Sequence, residues 1–414
     1  MPDSVAAAGE DLIGALPDDI LRLVLSFLPS RESVYTCVLA RRWRNLWKSV
    51  PRVVIYKEED ARFVTSLLLL RDRAPLHEFV FISFLDGTPQ DVEMWIRYAA
   101  SCHVRVLDLA VHRYDFTERL WLPNMTLVCQ HLTTLDICGV KLEEQTLDFS
   151  CCPVLDVLEM QDCEINAEKI SCQSLRHLSM DVCSFPLGVR THISCPSLAA
   201  LELTENVRLT PFLESMPSLV TAFVRFDTEW SEHEEPYDHC LKGGYYGYCN
   251  DGFCLAYGHI DSEGDVCVLL DGLCGATDLK LISTPKMIIC TRDFKWRHIF
   301  SKLKTLYLSE WCLAADFSGL VYFLQHSPIL EKLTLAVAVE ICEEESLNIQ
   351  DDSYKPSKHF AISKNLKVVE IKCCDKVESI HHIVEILDSL GVPPEHIKNQ
   401  HKHQSSDRLS FEDE

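Results

Sequence analysis

One short pattern returns along most of this chain. An apolar residue is followed three positions later by a second, and two positions after that by a third. Copies begin at Leu76, Val104, Leu132, Leu155, Leu175, Leu198, Leu219, Ala276, Leu303, Leu330 and Leu366. The last two members of each copy alternate, so in a strand they point to one face. The first member stands where the chain bends into that strand. Most steps between leading residues are about 20–29 residues, the period of leucine-rich repeats. A strand this short cannot hide an apolar face alone. Stacked on its neighbour it does, and the sum is a parallel sheet running along a solenoid.

A second regularity marks the corners. Three residues before successive leading leucines stand Cys129, Cys152, Cys172 and Cys195, then Met216. Proline follows three of them, as Pro153, Pro196 and Pro217. On neighbouring rungs these thiols would lie about 4.7–4.9 Å apart. They are read as a dry column of small apolar side chains, not as disulfides or ligands, because nothing at the start of the chain has the basic residues and apolar run of a secretory leader. A reducing compartment, nucleus and/or cytoplasm, is therefore expected, and thiols persist there. The period breaks over 227–275. The break holds either two repeats with one strand obscured, Val266 to Leu270 being the candidate, or one repeat with a long insertion. His239, Cys240, Cys249, Cys254 and His259 lie in it, but their C-x8-C-x4-C-x4-H spacing lacks the close cysteine pair of a zinc finger, so no metal or cofactor is assigned. A loop this long in a repeat array is a candidate specificity element.

The stretch from Leu16 to Trp47, LPDDILRLVLSFLPSRESVYTCVLARRWRNLW, reads as three short helices. Pro17 fits a first helical turn, where its missing N–H costs nothing. Asp18 and Asp19 complement the positive end of the helix dipole. Pro29 stops the first helix, and Ser30 is the candidate N-cap of a second carrying Val34, Cys37 and Val38. The third carries Trp43, Leu46 and Trp47. Asp18, Arg22 and Ser26 make the only polar stripe on the first helix, far more apolar surface than a lone surface helix carries. A unit below about 40 residues needs outside help to bury so much. The surplus predicts a second protein.

The residues that carry this pattern are similar to an F-box of the plant type. Its marks here are Leu16-Pro17, Ile20 and Leu21 after the acidic pair, Leu25-Ser26-Phe27-Leu28-Pro29, Val38 and Leu39, then Arg42-Trp43 and Leu46-Trp47. Ala40 stands where serine is frequent. The repeats resemble the irregular leucine-rich repeats of plant F-box proteins, with Trp95-Ile96-Arg97-Tyr98-Ala99 and Val104 to Leu109 as the helix-then-strand entry. Leu366 to Leu390 resembles an FBD domain, although the usual closing strand is not obvious after Gly391. The resemblance implies docking to a Skp-type adaptor and through it a cullin. It implies adaptor contact, or support of the contacting helices, by Leu16, Pro17, Ile20, Leu21, Leu25, Leu28, Val38, Trp43 and Trp47. The implied role is target recognition in an SCF-type ubiquitin ligase. The alternatives are a repeat scaffold, adaptor-bound or free, and a small-molecule sensor.

The expected fold is α/β: residues 1–15 disordered, an F-box over 16–49, an irregular array with helices or loops outside over 50–390, an FBD-like cap over 364–392, and a polar tail over 393–414. A strand over Val50 to Tyr56 and a helix over 58–73, with Phe63, Leu67 and Leu70 on one face, link F-box and repeats. Net charge is −23 in 414 residues, which argues against nucleic acid as a partner. Apolar runs such as Leu67 to Leu70 are far too short to span a bilayer. No phosphate-binding glycine loop, zinc-protease helix or nucleophile elbow is found. The chain reads as non-catalytic, with an unknown protein as its target.

Overall fold

The computed structural model describes residue 13 and residues 15–56, 61–83, 89–111, 120–122, 127–143, 146–186, 189–206, 210–226, 267–283, 293–309, 312, 317–337, 363–373 and 377–401. Its backbone is one parallel sheet of 13 strands taken in chain order. All eleven repeat strands, from Glu78–Ser83 to Val368–Cys373, sit side by side. They pair in register, so that Leu107, Leu135, Leu158, Leu178 and Leu201 form one column. Each of these is 2% exposed or less. The strand Arg52–Ile55 precedes the array and pairs with the first repeat.

Two expectations change and one open alternative is settled. Residues 393–401 are not tail: Ile397–His401 is a thirteenth strand, parallel to Val368–Cys373. With the helix Val377–Ser389 it gives the C-terminal unit its closing strand. The break after Leu219 is one repeat with an insertion, because Thr221–Phe226 pairs directly with Asp278–Ser283. Leu270 to Leu273 is a helical turn, not the hidden strand. On the linking helix, Ala61–Leu70, the buried residues are Val64, Leu67 and Leu68, while Leu70 at its last position is exposed. Phe63 lies beneath the Arg31 guanidinium, 4.5 Å from it. The ligand candidates His239 to His259, and the ends 1–12 and 402–414, lie outside the described residues.

The outer side depends on repeat length. The repeats from 76 and from 303 carry the helices Pro89–Ser101 and Ser318–His326. The shorter repeats between 132 and 219 lack room for a helix and two corners. They carry extra strands instead of the expected helices or loops, and these, with Leu120–Leu122 of the preceding repeat, gather into sheets of three and four strands. Each rung leaves the main sheet through a left-handed residue: Gly139, Asp162, Val182, then Glu205. Their N–H groups donate to the next rung, as Asp162 does to the Asp181 carbonyl at 2.9 Å. At Gly139 the chain passes so close to the Val111 carbonyl that a Cβ would lie 2.0 Å from its oxygen. The corner thiols are buried as expected; those of Cys129 and Cys152 donate to the carbonyls of Val104 and Leu127 at 3.4 and 3.2 Å. Burial pushes the Cys152 thiol up to about 11 and Cys195 up to about 12. Beyond the strands, Val140, Cys163 and Cys183 are level on three rungs and buried, and Cys138 is buried two residues earlier. Among the described residues the cysteines are thiols, and no helix is long and apolar enough to cross a membrane.

The N-terminal helices are joined to the array by buried contacts. The Ser30 hydroxyl accepts the Val54 N–H at 2.9 Å, which occupies Ser30 elsewhere and leaves Pro29 at the N-cap. Arg71, 7% exposed, donates to the carbonyls of Trp47 at 3.3 Å and Val50 at 2.6 Å. Trp47 belongs to the core of the array. Replacing Arg71 with Leu strands the Val50 carbonyl, at about 1–3 kcal/mol, and leaves the Trp47 carbonyl only the long Val50 N–H bond at 3.4 Å. The expected outcome is a lower urea midpoint and faster proteolysis near residue 50.

Candidate functional site: an uncovered helical face and an open sheet

The first helix, Asp18–Ser26, turns Leu21 and Leu25 inward onto Leu46 and Val50, with Leu16, Leu28 and Trp43 against them. Its charged side chains are paired at the surface. Asp18 accepts the Arg42 guanidinium at 2.7 Å, Asp19 pairs with Arg22 at 2.6 Å, and the buried Ser26 hydroxyl donates to the Leu23 carbonyl at 2.6 Å. Pro17 is the N-cap itself rather than part of the first turn. The second helix is shorter than expected, Ser30–Tyr35, and tightens over Thr36–Val38. The third, Arg41–Ser49, is a 3₁₀-helix.

What remains outward is apolar. Ile20, Leu23, Val24 and Phe27 share one face of the first helix, and Phe27 is 75% exposed. Tyr35, Val38 and Leu39 follow on the next, Val38 at 83%. Of the nine residues singled out, Ile20, Val38 and Pro17 are exposed; Leu16, Leu28 and Trp43 are half-buried; Leu21, Leu25 and Trp47 are buried and hold the helices. Leu23, Val24, Phe27, Tyr35 and Leu39 were missed. Their signal was the absence of any second polar stripe. Contiguous apolar surface of this kind marks an interaction site.

The second surface is the open face of the main sheet. Its middle row follows from the register: Asp108, Asp136, Glu159, Ser179, Glu202, Phe223, Lys280, Tyr307. Four carboxylates thus share one row on five rungs. A hollow of about 460 Å³ includes Glu159, Glu202, Phe223, Lys280 and Tyr307 in its lining. The Lys280 ammonium lies 4.4 Å from the Phe223 ring centroid and 5.2 Å from Tyr307. Partial burial pushes Asp136 up to about 6, and the Asp108 and Glu159 carboxylates add to it. Burial and then Glu78 raise Asp108; burial and then Asp181 raise Glu202.

This row costs stability when ionised. With a folded value near 6 and an ordinary value of 3.8, native Asp136 holds its proton where the unfolded chain has lost it. Stability from this group is complete below the ordinary value and is lost as pH rises through about 6. Asp136→Asn is expected to raise the melting temperature at pH 7, and the gain should fade towards pH 4. Thermal melts of both proteins across that range are the check.

Among the described residues, one mixed group of possible metal ligands comes together: Asp271, Cys274 and His298.

The F-box domain family matches residues 13–54, which contain the whole helical motif. Curated relatives come from Arabidopsis thaliana. An F-box/LRR-repeat protein is 32% identical over 228 residues, covering 51% of this chain and 46% of that one. An FBD-associated F-box protein is 28% identical over 338 residues, covering 78% and 75%. An F-box/FBD/LRR-repeat protein is 32% identical over 216 residues, covering 47% and 49%. The chain therefore matches about half the length of the first and third relatives, and three quarters of the second.

Proposed function

We propose that this chain, a plant F-box/leucine-rich-repeat protein of the FBD-associated kind, is the target-binding subunit of an SCF-type ubiquitin ligase. The observation that carries the reading is the uncovered apolar face at Ile20, Leu23, Val24, Phe27 and Val38. A few apolar anchors in an interface of roughly 1,600 Å² are enough for a stable complex. A Skp-type adaptor is the proposed occupant, with a cullin beyond it. The open sheet holds the target, and its row of carboxylates favours a basic segment. The chain contributes position rather than chemistry: a target held on the array meets the charged conjugating enzyme at high effective concentration. Buried thiols on many rungs suit a nuclear or cytoplasmic, reducing setting.

The test is reconstitution. The chain is combined with a plant Skp-type adaptor, a cullin–RING core and a conjugating enzyme, and candidate targets recovered by crosslinking to the array are supplied. The expected result is modification of a target only when this chain is present. A chain that binds adaptor and target yet supports no transfer is a scaffold, and that overturns the ligase reading.

A further inference from the structure

The insertion after Phe226 returns to the array through residues 267–273, just before the strand Asp278–Ser283. That return is tied down from the following turn. Asp293, fully buried, accepts the N–H groups of Val268, Leu269 and Leu270 at 3.1, 2.7 and 3.1 Å. The short helix Leu270–Leu273 then presents Asp271, and Cys274 follows it. His298 comes from the same following turn. Its main-chain N–H donates to the Tyr322 hydroxyl at 3.1 Å, and Tyr322 is fully buried between the rings of Phe294 and His326. The backbone that carries the imidazole is therefore anchored on an aromatic base.

We propose that Asp271, Cys274 and His298 bind one zinc ion. One carboxylate oxygen, one sulfur and one ring nitrogen lie within 4.8 Å of one another. The His298 Nδ1 is already 3.5 Å from the Asp271 carboxylate. The other ring nitrogen, Nε2, is buried and makes no hydrogen bond, so the Asp271 carboxylate is the polar group that faces the ring. Donors on a tetrahedral zinc stand about 3.3–3.8 Å apart, given bonds of about 2.0–2.3 Å. Closure of about 1 Å is all the site needs. The Cys274 thiol, which now donates to the Leu270 carbonyl at 3.1 Å, supplies most of that movement. On binding it loses its proton to solvent and coordinates as thiolate.

The donor set selects the metal. Sulfur with imidazole suits zinc and disfavours magnesium and calcium, which take oxygen ligands. All three residues are half-buried, which leaves the fourth position to water. Bound there, zinc would cross-link the return point of the insertion to the next repeat. This goes beyond the ligase reading and does not depend on it.

The experiment uses the full chain, stripped with chelator and titrated with cobalt(II), then zinc. One equivalent of cobalt is expected to give tetrahedral visible bands and a thiolate-to-cobalt band in the near ultraviolet, both erased by one equivalent of zinc. Cys274→Ala and His298→Gln should each lose the sulfur band or weaken zinc at least tenfold, with circular dichroism unchanged. Cys249→Ser and Cys254→Ser, in the insertion, should keep it. Should Cys274→Ala unfold, His298→Gln and Asp271→Asn carry the same reading. The site is overturned if the wild-type chain shows no sulfur band, if the band and the zinc affinity both survive His298→Gln, or if the band vanishes in the insertion variants.

Discussion

Phe27→Asp is expected to abolish the proposed binding of a Skp-type adaptor and to leave the array folded. Phe27 ends the first helix with its ring turned out, so the free chain has nothing there to lose. Substitutions on such surfaces change stability by no more than about 0.5 kcal/mol. In a complex the same position lies under the partner, where an unpaired carboxylate is costly. Losses at aromatic anchors reach about 2–4 kcal/mol or more, which is 30-fold to 1,000-fold in affinity. Ile20→Asp, at a position that is less than half exposed, should act in the same direction with a smaller margin. Calorimetric titration with adaptor, beside a thermal melt of each variant, separates the two effects. Wild-type affinity in Phe27→Asp would remove the helical face as the docking site, and a collapse of the melt would show that helices and repeats are not separable.

Leu178→Ala should do the reverse. Leu178 is 2% exposed and lies in register between Leu158 and Leu201 on the neighbouring rungs. Removing three buried carbons costs about 2–5 kcal/mol, most where the site cannot collapse. A rung held between two others has little room to do so. Because each repeat contacts only its neighbours, the damage spreads along the array. Urea unfolding should show the loss, and amide exchange should quicken first in Val157–Gln161 and Ala200–Thr204. Adaptor affinity, measured below the unfolding transition, should stay unchanged. If exchange quickened evenly from end to end, the array would be folding as one block.

The pattern of leucines revealed all eleven repeat strands because a buried column needs the same residue type on every rung. It failed where a strand is short of apolar residues. Ile397–His401 reads IKNQH, and an edge strand, with one neighbour, does not need the alternation that marks an inner one. The extra strands behind the middle rungs were hidden for a similar reason: Lys169–Ser171 has a single buried residue, Ile170. Cys163 and Cys183 make a second buried pair at the strand exits, where no proline follows directly to mark them. On the docking face, composition showed a surplus of apolar surface, but not which residues were surplus. Leu21 and Phe27 look alike in a sequence, and only the position of Leu46 and Val50 makes one internal and the other external. The row of carboxylates is similarly dispersed, one residue per repeat, and becomes a row only when the register is known.

The joint at Arg71, Ser30 and Trp47 also sets a measure of reach. With no free linker between helices and sheet, whatever sits on the array stands at a fixed height above the docking face. Thirteen strands at about 4.8 Å each give a rule roughly 58 Å long. On it the carboxylates run from about 10 to 29 Å from the first strand, and the Phe223–Tyr307 end from about 34 to 43 Å. A target gripped at one end would offer different lysines to the enzyme from one gripped at the other. Adding or removing a single repeat would move that choice by about 5 Å, so on the proposed ligase reading the number of rungs would select where a target is marked as well as which target is held.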